Sequence, residues 1–230
     1  MQPPEGTFSA GENRPLPAHE GTRAAEVRLP NLTPDEQRLL LSLAKASVEY
    51  GFRHGRPLTV DPTVYPAVLR EPWAVFVTLH HEGQLRGCIG TLEANYPLVN
   101  GVARFAWHAA FHDTRFAPLE EEELPGLHIH ISILSPPVPL NFNSEHELLE
   151  QLEPGLDGLL IEDGFYHATF LPSVWETLPD KNEFLRHLKR KAGLSPDHWS
   201  NSFRASRYRA YGFSADAHEL DTSILPETFV

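Results

Sequence analysis

Residues 73–90 read Trp-Ala-Val-Phe-Val-Thr-Leu-His-His-Glu-Gly-Gln-Leu-Arg-Gly-Cys-Ile-Gly, two β-forming runs on either side of Glu82-Gly83. A glycine-containing pair between such runs is a hairpin signal. Closing the turn there sets His80 opposite Leu85, Leu79 opposite Arg86 and Val77 opposite Cys88. On that register the thiol lies among Val75, Val77 and Leu79, an apolar setting that raises its pKa, and His80 points to the opposite face. Alternation along the second run adds that Arg86 and Cys88, two apart, share a face roughly 6.6 Å from one another. A guanidinium at that range favours thiolate over thiol. Gly87 and Gly90 leave the backbone uncovered, which strands avoid unless another group comes close or the strand bulges. Arg86, Gly87 and Gly90 thereby define a candidate binding notch around Cys88, the only cysteine of the chain. The competing reading is a buried cysteine that packs as a small hydrophobe, the commoner fate of a free thiol.

Working outward, Thr33-Pro34-Asp35-Glu36 is a capping box with proline at the first helical position, and Leu39, Leu40, Leu43, Ala44 and Ala46 follow at helical spacing to about Phe52. A proline-containing loop leads from there to the hairpin. Leu98 to His112 reads as a second helix, and Glu120 to Glu123 as an acidic loop. Leu127 to Ile133 alternates, with Leu127, Ile129, Ile131 and Ile133 on one face and His128, His130 and Ser132 on the other. Ser144 caps a short helix, Asp163-Gly164 turns a second hairpin, and Asp180 with Glu183 caps a helix that Gly193 stops. Arg204 to Phe213 alternates as a final strand. The order predicts an α+β, or mixed α/β, domain with a mainly antiparallel or mixed β-sheet flanked by helices.

At 230 residues and 41% hydrophobic content the chain suits one large domain, or one domain with a subdomain. The organisation expected is a flexible leader over 1–30, a domain over 31–217 and a tail over 218–230. The leader holds no apolar core of seven residues, so neither a signal peptide nor a membrane anchor is expected, and no run reaches the eighteen apolar residues of a membrane span. A single cysteine excludes intrachain disulfides and fits a cytoplasmic protein. A formal charge of −12 argues against general affinity for polyanions. Lys181 to Arg209 nevertheless carries a local +6, read first as a solvated face and second as a contact for phosphate or an acidic partner.

The hexapeptide Leu85-Arg86-Gly87-Cys88-Ile89-Gly90, together with Asp113-Thr114-Arg115-Phe116 and Pro118-Leu119, resembles the signature of the AMMECR-type domain family. Ile131 to Ser135, Asp157-Gly158-Leu159, Leu171 to Val174 and Phe184-Leu185 through Lys191 to Leu194 match further motifs in the same order, so the resemblance covers roughly 33 to 215. It implies two parts, a larger subdomain around a β-sheet and a smaller, mostly helical one, with the hexapeptide near a cleft. It also implies a place beside Memo-like and radical SAM-like proteins in a three-part set whose reaction is not established. Two positions depart from the family pattern: Thr114 stands where proline is common, and His130 where the strand often carries an acid.

Two functions follow from these residues. The preferred one is a non-catalytic module that binds a small anionic ligand or a partner protein through Arg86, Gly87, Gly90, Asp113, Arg115 and Phe116, as paired guanidiniums hold carboxylate or phosphate. The alternative is a thiol-dependent enzyme with Cys88 as nucleophile and His130 as base, His128 and His112 being the other histidines considered. Asp113 and Arg115 admit a plainer role: paired to each other they close the loop while Phe116 enters the core. His108/His112 and His128/His130 have metal-ligand spacing but lack a third ligand, so no metal site and no cofactor is assigned. Nucleic-acid binding ranks last, because Phe203, Tyr211 and Phe213 are expected to face the core.

Overall fold

The computed structural model describes residues 28–226, so the leader up to residue 27 and the last four residues of the tail lie outside it. In chain order the helices and strands are α1 (Pro34–His54), α2 (Ala67–Arg70), β1 (Ala74–His81), β2 (Gln84–Gly90), α3 (Leu98–Phe111) and β3 (Leu127–Leu134). There follow β4 (Val138–Pro139), α4 (Glu145–Glu150), β5 (Asp157–Asp163), β6 (Tyr166–Phe170), α5 (Lys181–Lys191) and β7 (Arg204–Asp216). The chain divides into two compact units, the larger built from 30–134 and 211–226 and the smaller from 135–210.

In the larger unit α1 starts where the sequence predicts. Thr33 accepts from the Glu36 N–H while the Glu36 carboxylate accepts from the Thr33 N–H, satisfying two helix-end donors reciprocally. Gly55, at φ 63°, ends the helix in the left-handed conformation that glycine adopts without strain. The strand order is β2-β1-β3-β7. Val75, Val77 and Leu79 of β1 and Leu127, Ile129, Ile131 and Ile133 of β3, all fully buried, form one face that packs with Leu40, Leu43 and Val48 of α1 and Leu98, Val102 and Ala106 of α3. Burying side chains of this size stabilises by about 1.5–3 kcal/mol each, so this layer is what fixes the sheet.

The smaller unit holds β4, β5, β6 and the first half of β7 with α4 and α5, in the antiparallel order β6-β5-β7 with β4 also on β7. Strands and helices share it, where the resemblance implies mostly helices. Its separate core is aromatic: Trp175 and Phe184 stack at 3.7 Å between centroids, and Leu148, Leu159, Ile161 and Leu188 surround them. Short elements went unread in the sequence, among them α2 and the 3-10 turn Glu121–Gly126 inside the expected acidic loop. Pieces of four to six residues are too short to show a period.

Candidate functional site

The hairpin turn places Glu82 at φ 51° and Gly83 at φ 75°, the left-handed pair whose twist matches two antiparallel strands. His81 faces Gln84 and His80 faces Leu85, as the turn predicts. Beyond that point Leu79 pairs with Gly87, Thr78 with Cys88 and Val77 with Ile89, which leaves Arg86 as the extra residue of a β-bulge. Side chains alternate with period two, so a one-residue slip sends every later side chain to the other face. The expected pairs Leu79 with Arg86 and Val77 with Cys88 are therefore corrected. Ile89 takes the apolar place opposite Val77, and Cys88, half-buried, joins the face of Thr78 and His80. The Thr78 hydroxyl donates to Cys88 Sγ at 3.1 Å.

The two glycines of the hexapeptide do something other than leave a notch. A Cβ on Gly87 would overlap the Ala109 carbonyl of α3, and one on Gly90 would overlap the Phe76 ring and the Val75 carbonyl. Their bareness lets the protein's own helix and ring close onto β2, so the space expected for a ligand is filled from within.

Both arginines are committed inside the chain. Arg86 donates from Nε and Nη2 to the two oxygens of Glu123 at 2.7 and 2.8 Å, and from Nη1 and Nη2 to the Ala117 and Pro118 carbonyls. The hydrogen bonds from Arg86 hold the Glu123 carboxyl below its usual pKa and raise that of the guanidinium in turn. The bulge breaks the two-apart rule, and Arg86 serves the 117–123 loop rather than forming a fork beside the thiol. Asp113, 1% exposed at its side chain, accepts from the Cys88 N–H at 2.8 Å and from Arg115 Nε and Nη2 at 2.9 and 2.6 Å. Arg115 reaches the Cys88 carbonyl at 3.4 Å and lies over the Phe116 ring, which is half-buried rather than in the core. Burial pushes the Asp113 carboxyl up, but the hydrogen bonds from Arg115 and the Cys88 N–H outweigh it and the pKa falls below the ordinary value. Asp113 and Arg115 thus clamp the backbone of Cys88.

His130 sits opposite Thr78 on β3, so Cys88, Thr78 and His130 form a row across three strands on the face turned from the apolar core. Its Nε2 is 3.0 Å from Ser132 Oγ. Burial first, then the neighbouring His80 and His128, lower the His130 pKa and keep the ring neutral near pH 7. His80 belongs to the same face, contrary to the expected register, and pairs with His128. His128 is held by Asp216 and His130 by Ser132, so the two-apart pair does not converge. On α3, His108 Nδ1 donates to the Arg104 carbonyl, and the His108 and His112 rings lie 5.6 Å apart at their centroids. Thr78 and Glu123 were missed from the sequence. Thr78 had a signal, a hydroxyl between Val77 and Leu79 on a strand one-sidedly buried, whereas Glu123 was one of four consecutive acids with nothing to single it out.

In the smaller unit part of the basic stretch is neutralised by carboxylates. Lys189 pairs with Glu145 at 2.6 Å, Arg186 with Asp197 at 3.2 Å, and Arg209 with Glu153 at 2.8 Å and with the buried Asp157 at 3.3 Å.

In this chain a bulged Arg-Gly-Cys strand is clamped by an Asp-x-Arg loop, and the AMMECR1 family model matches residues 41–213. The chain belongs to that family. A protein of Methanothermobacter thermautotrophicus is 37% identical over 191 residues, covering 83% of this chain and 97% of the relative. One of Methanocaldococcus jannaschii is 37% identical over 195 residues, covering 82% and 92%. The crystal structure of an uncharacterized protein from Pyrococcus horikoshii is similar at a TM-score of 0.70 and 33% identity, covering 77% of this chain and 90% of that one. Among the described residues no helix is long and apolar enough to cross a membrane.

Proposed function

We propose that this AMMECR1-family protein is a binding module that takes a small anionic ligand, or an acidic group of a partner protein, on the sheet face bearing Cys88, Thr78 and His130. The row itself carries the reading: the half-buried His130 imidazole and the Ser132 hydroxyl paired with it leave a donor for a carboxylate or phosphate oxygen, and Thr78, donating to Cys88 Sγ, orients the thiol as a second one, so no base is required. Arg86, Gly87, Gly90, Asp113 and Arg115 contribute by fixing β2 under that row, and Phe116 by carrying Arg115. In the three-part set that the family resemblance suggests, the acidic group would belong to the Memo-like or the radical SAM-like component. A thermal-shift screen against phosphorylated and carboxylated metabolites tests the reading. Stabilisation of the wild type that is lost in Thr78→Val and His130→Ala and kept in Cys88→Ser supports it; no stabilisation by any anion, or stabilisation that His130→Ala retains, overturns it.

The second reading, a thiol-dependent enzyme with Cys88 as nucleophile and His130 as base, draws on the Thr78 hydrogen bond that orients the sulfur. Turnover that Cys88→Ala abolishes would put it in first place.

A further inference from the structure

Where β7 ends, Asp216, His218 and Glu219 bring a carboxylate oxygen, an imidazole nitrogen and a second carboxylate oxygen within 4.8 Å of one another. The turn that carries them is pinned from below. Ala217, between Asp216 and His218, is fully buried, Leu220 nearly so, and the Leu220 N–H donates to the Ala217 carbonyl, closing a 3-10 turn. A second strand contributes a group as well. His128 of β3 places Nδ1 at 2.7 Å from Asp216 Oδ1, and because a carboxylate only accepts, that nitrogen carries the proton. Asp216 is thus held through Oδ1 by a donor from outside the three. Ligating carboxylates are oriented in just this way by a neighbouring donor.

We propose that Asp216, His218 and Glu219 form a binding site for a divalent transition-metal ion of the zinc class, with His128 as the positioning residue. The donor set of one imidazole and two carboxylates suits Zn2+, Co2+ or Ni2+, whereas Ca2+ and Mg2+ prefer oxygen donors alone. Three protein ligands with His218 and Glu219 at the exposed side leave a coordination position for water or for a group brought by another molecule. The site uses none of Cys88, Thr78 or His130 and does not depend on the proposed ligand reading. It also differs from both histidine pairs that the sequence offers, since His128 acts through Asp216 and His108 and His112 take no part.

The test is calorimetric titration of the full, tag-free chain with Zn2+, repeated with Co2+ and read by visible absorption. One equivalent is expected to bind, and the Co2+ spectrum is expected to show nitrogen and oxygen ligation with no thiolate charge-transfer band. His218→Ala and Asp216→Asn should each weaken Zn2+ affinity by at least about tenfold, His128→Ala should weaken it less and alter the Co2+ spectrum, and Cys88→Ser and His108→Ala should change neither. His218 and Glu219 are exposed, so the double variant His218→Ala/Glu219→Gln should keep its far-UV dichroism and serves as the folded control. Absence of stoichiometric binding overturns the proposal, as does binding that survives the double variant or is lost instead in Cys88→Ser or His108→Ala.

Discussion

Replacing Asp113 by alanine should remove about 3 kcal/mol of stability from the larger unit. The carboxylate is buried and meets three donors: the Cys88 N–H at 2.8 Å and two nitrogens of Arg115 at 2.9 and 2.6 Å. Truncation leaves a backbone donor and a guanidinium without their acceptor. An orphaned buried donor costs about 1–3 kcal/mol, and removing one partner of a buried ion pair about 3–5 kcal/mol. Arg115 is 21% exposed and regains water on one side, which puts the sum near the lower end of the second range. For a chain of this size that corresponds to a fall in Tm of about 6–12 °C, readable by calorimetry at pH 7. Asp113→Asn keeps the shape and an acceptor but drops the charge, so it should lose only about 1–2 kcal/mol. The sign with pH is fixed by the depressed carboxyl. Its contribution is complete above the unfolded carboxylate range and fades as pH falls through the folded pKa, so wild type and Asp113→Asn should converge on acidification. A loss below about 1 kcal/mol in Asp113→Ala, or a gap to Asp113→Asn that stays constant from pH 7 to pH 3, would refute the clamp.

Three further substitutions probe other parts of the same reasoning. Gly87→Ala pushes a methyl into the Ala109 carbonyl and should cost about 1–3 kcal/mol by urea denaturation; a neutral result would mean that α3 is not held against β2. Asp163 is held at a pKa of about 2 by hydrogen bonds from His198, then Ser202 and Ser200, so it should contribute up to about 2 kcal/mol above pH 4, lost between roughly pH 4 and 2, and Asp163→Asn should flatten that acid limb. Lys189, fully buried, is paired with Glu145 and lies under the Trp199 and Phe203 rings, whereas Glu145 is partly exposed. Glu145→Ala, which strands the ammonium, should therefore destabilise more than Lys189→Met, which lets Glu145 take up water, and the reverse order in chemical denaturation would contradict that account.

The elements that a period or a cap announces were legible in the sequence. The capping box at Thr33, the clean alternation of Leu127 to Ile133 and the Asp163-Gly164 turn each place an element to within a few residues. The site was legible in composition and not in geometry. Cys88, Arg86, Asp113 and Arg115 do gather, but nothing in Leu85-Arg86-Gly87 signals that Arg86 is the residue left without a cross-strand partner, because a bulge is decided by what packs against the strand. Here that is Ala109 on α3, which demands a glycine opposite Leu79. One slipped residue then reversed the environment assigned to the thiol, and the partners of both arginines, in loops and turns without periodicity, had no pattern to reveal them.

Among the described residues β2 is the outermost strand of its sheet, where a row of backbone donors and acceptors normally faces outward and invites another chain to zip on. At Cys88 that invitation is already answered, with a carboxylate on the amide and a guanidinium toward the carbonyl. The same two side chains that set up the thiol act as a stopper on the rim of the sheet, so the earliest symptom of losing them should be concentration-dependent self-association, ahead of any change in ligand affinity.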